Sequence, residues 1–229
     1  MTLTGDLPAV PRMQSIRDHF AGVGVAQMAD AAPEYVRPLR LPLQPRNGRP
    51  RVCGPAFPIT TEDDMLPCLQ ALAAAPAGWV LLIHNLTFPS EAIVGDIFTA
   101  SAEVQGLAGI VVKGAVRDLG DLSDIDVPVF STEVTFVSAR TTDRRAGQVP
   151  VPVDLDGVVV NPGEWLFGDP DGFLVVEAER ASAVVTAGAM LRKREDGLKA
   201  AIRRDRRSVA ELTNLSAYLD GTGQLGYVP

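Results

Sequence analysis

Two short stretches of this sequence hold residue types that could do chemistry together. The first is Gly95-Asp96-Ile97-Phe98, between the loop Asn85–Val94 and a segment with helical spacing. The first amides of a helix have no intrahelical partner, and the helix dipole adds partial positive charge there. The N–H groups of Ile97 and Phe98 can therefore hold a small anion such as a carboxylate. Asp96 at that place is equally an ordinary capping residue. The second stretch is Arg117-Asp118, which follows the apolar run Gly109–Lys113 and a turn expected at Gly114-Ala115-Val116. Arginine presents a planar fork to a carboxylate. Asp118 offers a hard oxygen ligand suited to Mg²⁺ or Mn²⁺. A surface Arg–Asp pair would use the same two residues. Twenty residues separate Asp96 from Arg117. One helix and one strand consume that spacing and return the chain to the same edge of a sheet, where α/β sheets bind ligands. Both acids and the arginine can then face one pocket.

The composition narrows the chemistry available. Among 229 residues there are two histidines, His19 and His84, and two cysteines, Cys53 and Cys68. No H-E-x-x-H and no paired C-x-x-C occurs, so the usual zinc sites are excluded. A Ser-His-Asp triad would need one of the two histidines, and neither has a recognisable context. Enzymatic chemistry here must run on carboxylates, arginine, backbone amides or a hard metal. The net charge of −7 makes nucleic acid a poor partner. The start of the chain has no apolar signal-peptide core and no run reaches ~18 apolar residues, so no membrane span is expected. Two unpaired thiols and the absence of a leader point to a cytoplasmic protein.

The elements that must position these groups can be read in order. Residues 1–13, with Pro8 and Pro11, read as an extended arm, and Ser15–Phe20 and Val25–Ala32 as short helices. The five prolines between 33 and 50 predict a loop. Arg51–Ile59 reads as a strand kinked at Gly54-Pro55. Asp63 and Asp64 are cap candidates for a helix through Ala75, whose Met65, Leu66, Leu69 and Leu72 recur at helical spacing. Trp79–Ile83, Gly109–Lys113 and Val127–Phe130 are continuous apolar runs, as strands buried on both faces would show. A β-meander spans Val149–Val153, Gly157–Val160, Glu164–Phe167 and Gly172–Val176, and the tail from Glu177 to about Leu219 is helical. This order predicts an α/β layered fold with a mixed central sheet in one domain: arm and helices over 1–50, core over 51–177, helical tail over 178–229. Within the tail, Arg192–Arg207 holds eight basic and three acidic residues. A solvated helix or a partner surface would each have that pattern.

The stretch from Gly95 to Leu119, an aspartate and then Arg-Asp after twenty residues, resembles the signature of the 4-hydroxy-4-methyl-2-oxoglutarate aldolases. That RraA-like family also contains the regulators of ribonuclease E activity. Val52–Phe57 (VCGPAF), Asn161–Val176 (NPGEWLFGDPDGFLVV) and Met28–Ala31 (MADA) are similar to further family segments, so the resemblance covers about Val25 to Leu212. It implies a swivelling β/β/α domain, an αββα sandwich, assembled as a homotrimer or hexamer with sites at subunit interfaces. It implies that the amides of Gly95 to Phe98 and Arg117 hold a small 2-oxo acid substrate. It further implies that Asp118 binds a divalent cation, Mg²⁺ or Mn²⁺, largely through water, with Asp96 contacting that ion through water. Glu195, from a neighbouring subunit's helix, is the candidate for positioning water.

The expected activity is metal-dependent cleavage of a 4-hydroxy-2-oxo acid, or decarboxylation of oxaloacetate, with Arg117 and Asp96 as catalytic residues. A non-catalytic regulatory protein and a relative with another substrate are the alternatives. Residues 84–94 (HNLTFPSEAIV) replace a usually glycine-rich stretch, so His84 and Asn85 are candidate substrate contacts. Glu133 and Arg140 are candidates for a changed pocket lining. Lys113 would be the one strand lysine placed for a Schiff base, or else an edge lysine reaching solvent or an acid.

Overall fold

The computed structural model describes residues 10–141 and 147–226. The chain begins with α1 (Val10–Phe20) and α2 (Val25–Ala31), a single 3₁₀ turn at Pro33–Tyr35, then β1 (Val36–Leu39), β2 (Gln44–Pro45) and β3 (Val52–Thr61). An α/β stretch follows: α3 (Met65–Ala74), β4 (Val80–Asn85), β5 (Ala92–Val94), α4 (Asp96–Val104), β6 (Gly109–Val116), α5 (Leu119–Leu122) and β7 (Val129–Val134). The meander is β8 (Val153–Leu155), β9 (Val158–Val160), β10 (Trp165–Asp169) and β11 (Gly172–Val176). The tail is α6 (Ala181–Asp205), α7 (Val209–Leu212) and α8 (Leu215–Leu219). Among the described residues no helix is long and apolar enough to cross a membrane.

The central sheet is mixed, in the order β1-β11-β10-β3-β4-β6-β7-β2, with β5 added beside β6. Its organising strand is β3. Val52–Pro55 pair antiparallel with β10, while Ala56–Thr61 pair parallel with β4. One strand thus belongs to both halves, and the halves fold over each other. The layer between them holds Val52 and Ala56 of β3, Leu82, Val111 and Phe130 from the parallel half, and Leu166, Phe173 and Val175 from the antiparallel half. On the outside, α3 and α4 cover the parallel half through Cys68, Leu72, Phe98 and Ala102. Helices α1, α2 and α6 cover the antiparallel half through Ile16, Phe20, Met28, Val184 and Val185. The result is helices, sheet, sheet, helices, as the mixed α/β reading requires.

Several local expectations are corrected. The N-terminal helix starts at Val10, not Ser15, because Pro11 sits in the first turn, where a missing N–H costs nothing. The rest of the proposed arm, 1–9, lies outside the described residues. The segment 33–50 is not all loop: β1 and β2 form the two edges of the sheet. Their prolines Pro38 and Pro45 are tolerated there because an edge strand has backbone groups that need no ladder partner. The turn expected at Gly114–Val116 is instead the continuation of β6. Gly114 has φ +148 and a Cβ there would lie 2.9 Å from Asn85 Cβ, so the strand passes only as glycine.

Candidate active site

Two parallel strands end side by side at the site. In the β5–β6 ladder Val94 pairs with Val116, and Arg117 N donates to Val94 O at 3.0 Å. The next residues along, Gly95 and Arg117-Asp118, therefore emerge together. Gly95 follows β5 directly and caps α4 with extended backbone, φ −140. Its carbonyl accepts from both the N–H and the hydroxyl of Thr99, at 3.0 and 2.8 Å. Thr99 is fully buried, so the start of the helix is fixed.

On the other strand, Asp118 takes the left-handed conformation, φ 60 and ψ 38, and starts α5. Aspartate and asparagine are the non-glycine residues that adopt it most readily. Arg117 Nε donates to Asp118 Oδ2 at 3.0 Å, and both side chains are about one-third exposed, 37% and 29%. This pair leaves the other Asp118 oxygen and part of the Arg117 fork for a ligand.

Gly95, Asp96, Ile97, Phe98, Arg117 and Asp118 all line one cavity of about 300 Å³. The structure brings these six residues together. One detail differs. Ile97 N–H donates to Asp96 Oδ1 at 2.7 Å, so one of the two expected anion-holding amides is engaged by the neighbouring aspartate. A ligand carboxylate at this helix start displaces Asp96 or uses the Phe98 amide.

The donor set suits a hydrated hard cation. Asp96 and Asp118 supply oxygens only, with no imidazole or thiolate in the lining. Among the described residues, no group of three or more His, Cys, Asp or Glu converges as a metal cage. An ion here would draw most of its ligands from water or substrate.

The remaining candidates lie elsewhere. His84, at the end of β4, pairs with Lys113 of β6 and shares the strand face of Leu82 and Val111, the layer between the sheets. It lines a second cavity, of about 410 Å³, with Lys113, Thr132, Glu133 and Asp156. Burial, and after it the Lys113 charge, push the His84 imidazole below its ordinary range. Lys113 is paired to Asp156 in the β8–β9 turn, which is the edge-lysine reading with an acid as partner. The Arg117 cavity does not include it.

Asn85 is buried and committed: its Oδ1 accepts from Asp63 N at 3.0 Å and its Nδ2 donates to Asp63 Oδ1 at 2.6 Å. It also lines the second cavity, and neither His84 nor Asn85 reaches Arg117. Glu133 Oε2 accepts from Ser90 N at 3.4 Å, also beside the second cavity. Arg140 accepts Met65 N through its carbonyl at 3.2 Å, beside the start of α3. Glu195 on α6 accepts from Gln27 Nε2 at 2.9 Å and is not among the residues lining the Arg117 cavity.

Sequence reasoning missed the opposite wall. Met65, Leu69 and Leu72 of α3 and Ser138 complete the cavity. The i, i+4, i+7 spacing was visible but reads equally as core. The GDPDG stretch has a structural use: Asp169 is 4% exposed and accepts from Val25 N and Asp171 N, both at 2.9 Å, tying the β10–β11 turn to the start of α2.

Residues 25–175 match the RraA-like family profile, described as Aldolase/RraA. A protein of Burkholderia multivorans named "Putative 4-hydroxy-4-methyl-2-oxoglutarate aldolase" is 37% identical over 141 residues, 61% of this chain and 84% of that one. One of the same name from Halalkalibacterium halodurans is 33% identical over 135 residues, 58% of this chain and 63% of that one. The alignment thus spans less than two-thirds of the latter's length. Among solved structures, the RNA-processing inhibitor RraA from Thermus thermophilis superposes with a TM-score of 0.62 at 28% identity, covering 67% of this chain and 92% of that one.

Proposed function

Because the chain belongs to the RraA-like family, we propose that it is a lyase. It would cleave a C–C bond of a 4-hydroxy-2-oxo acid, or decarboxylate oxaloacetate, with release of pyruvate. The observation that carries this reading is the convergence of Gly95, Asp96, Arg117 and Asp118 on one cavity. Relatives named as aldolases support the reaction class.

The chemistry asks little of the protein's side chains beyond placement. In a retro-aldol cleavage the C4 hydroxyl loses its proton, the C3–C4 bond breaks, and its electron pair moves into the C2 carbonyl. Pyruvate follows when C3 takes up a proton. Arg117 faces the charge that develops on the keto oxygen, and a preorganised cation there lowers the barrier. The Phe98 amide and the start of α4 hold the substrate carboxylate. Asp96 is the carboxylate placed to take the hydroxyl proton. Asp118, with Asp96, would hold a Mg²⁺ or Mn²⁺ ion, which when bound polarises the keto oxygen as a Lewis acid. Arg117 fixes one Asp118 oxygen and so aims the other. The reading includes a homotrimer or hexamer, with Glu195 completing a neighbour's site.

The test is pyruvate release from oxaloacetate and a panel of 4-hydroxy-2-oxo acids, with Mg²⁺ and after chelation. Turnover that needs the cation and falls by two orders of magnitude in Arg117→Ala is expected. No turnover of any of these compounds, with Arg117→Ala indistinguishable from wild type, overturns the reading. A second reading, a regulatory binding protein, draws on the exposed basic half of α6. Part of that charge is already neutralised within the helix, by the Arg192–Asp196 and Arg204–Asp205 pairs. Recovery of a stoichiometric protein partner by an Arg117→Ala protein that lacks turnover would favour it.

A further inference from the structure

The cavity lining has two unlike parts. One is polar: Gly95, Asp96, Arg117 and Asp118. The rest is mostly apolar: Met65, Leu69 and Leu72 from one face of α3, with Ile93 and Phe98, and the hydroxyls of Ser101 and Ser138. Leu72 is 5% exposed and belongs to the core, whereas Leu69 is 45% exposed. The helix face is therefore half uncovered, and both leucines line the cavity. This wall is built rather than incidental. Asp64 accepts from Leu66 N at 2.9 Å as the cap of α3, and Met65 N donates to Arg140 O at 3.2 Å, so the first turn is fixed in place.

Charge points the same way. Arg117 is the one basic residue among the described residues lining the cavity, against two aspartates. The start of α4 and Arg117, the groups that take the 2-oxo acid end, both belong to the polar part of the lining. A second carboxylate along the α3 wall would lie against leucine, methionine and phenylalanine, with the Ser101 and Ser138 hydroxyls as the polar groups left to it and no cation of this chain, and an unpaired anion in apolar surroundings is strongly disfavoured.

We infer that the substrate is a monocarboxylic 2-oxo acid whose far end is an aliphatic chain, which selects cleavage of a 4-hydroxy-2-oxo acid over decarboxylation of the dicarboxylate oxaloacetate. The inference rests on the lyase reading for the identity of the polar end. It adds what the α3 wall takes. In the corresponding reaction, 4-hydroxy-2-oxoheptanoate gives pyruvate and butanal. The hydroxyl proton leaves, the C3–C4 bond breaks, C4 becomes the aldehyde carbon, and C3 takes up a proton.

Calorimetric binding in the presence of Mg²⁺ tests this with three probes: pyruvate, 2-oxoheptanoate and 2-oxoglutarate. A fully buried methylene strengthens binding roughly fourfold. With a half-open wall, 2-oxoheptanoate binds at least roughly tenfold tighter than pyruvate by the same rule, and 2-oxoglutarate no tighter than pyruvate. Leu69→Arg puts a cation on the exposed wall without touching the buried core, and it reverses the order of the two longer acids, read as the ratio of their affinities in the same protein. Cleavage of 4-hydroxy-2-oxoheptanoate against 4-hydroxy-2-oxoglutarate follows the same order. Tighter binding of 2-oxoglutarate to the wild type overturns the inference and leaves the lyase reading standing. So does a Leu69→Arg protein that changes assembly mass but not acid preference, which assigns the wall to a subunit contact. If none of the three acids binds, the lyase reading fails and the inference with it.

Discussion

A Cβ placed on Gly95 would lie 2.5 Å from Asp118 Oδ2 and 3.3 Å from Arg117 Cγ. The backbone of one strand end thus presses directly on the acidic side chain of the next. The demand is steric: φ at Gly95 is −140, a value any residue adopts. Glycine is present because Asp118 and Arg117 occupy the space a side chain would need.

Gly95→Ala therefore displaces Asp118, Arg117 or both. A shift of about 1 Å in a catalytic group can cost on the order of a hundredfold in rate. We expect kcat/KM for pyruvate formation to fall by roughly that factor, with a far smaller change in thermal midpoint, since the Arg117–Asp118 pair is part-exposed and adds little to stability. Wild-type kinetics in Gly95→Ala would show that the close approach has no role in positioning Asp118.

The sequence made the polar half of this site legible and not the other half. Asp96 and Arg117-Asp118 stand out because their spacing matches one helix and one strand, and the Val94–Val116 pairing bears this out. His84 reads either as a satisfied histidine at a strand end or as a substrate contact; strand alternation decides its side, and alternation within a fully buried run leaves no polar marker to read. Its face is fixed by Leu82 and Val111, which lie in the layer between the sheets. The role of α3 was hidden for the opposite reason: Met65, Leu69 and Leu72 obey the pattern of a core helix, and nothing in their types says that the face is half uncovered. The edge strands β1 and β2 were obscured by proline, which marks loops and sheet edges alike.

Asp169 carries a prediction about stability rather than activity. It is buried, it accepts the N–H groups of Val25 and Asp171, and Arg51 lies 4.0 Å away. Asp169→Ala strands the buried Val25 N–H at the start of α2 and frees the part-buried Asp171 N–H in the β10–β11 turn. A buried donor left without a partner costs about 1–3 kcal/mol. We expect urea unfolding to show a loss of about 2–4 kcal/mol for Asp169→Ala, and a smaller loss for Asp169→Asn, which keeps one acceptor oxygen. An Asp169→Ala protein as stable as wild type would mean the turn and helix hold together without this carboxylate.

The two thiols make a chemical prediction. Burial pushes the Cys53 thiol well above its ordinary range, and burial with the nearby Asp64 charge pushes Cys68 up to about 12. Thiolate is the reactive form. Folded protein at pH 8 should therefore react with an aromatic disulfide reagent far more slowly than a free thiol does. In guanidinium, both cysteines of the 229-residue chain should titrate rapidly. A thiol that reacts at the free rate in the folded state would place it at an opening the packing does not have.

His84 carries the last prediction, about pH. Its imidazole is held below the ordinary value of 6.5 by burial, then by Lys113, against weaker opposing contributions from Asp156 and Asp154. The folded state thus prefers the neutral ring. Between the depressed value and 6.5 the unfolded chain binds more protons than the folded one, so stability rises with pH across that window. The cost is absent above the unfolded value, grows as pH falls through it, and is complete below the folded value. His84→Gln removes this contribution while keeping a polar group beside Lys113. Unfolding free energies measured in urea at pH 7.5 and 5.5 should therefore differ less for His84→Gln than for wild type, and the carboxylates common to both proteins cancel in that comparison. Equal differences in the two proteins would mean that the ring gains its proton in the folded state as easily as in water. The Lys113–Asp156 pair would then shield the imidazole from the lysine charge rather than share the space with it.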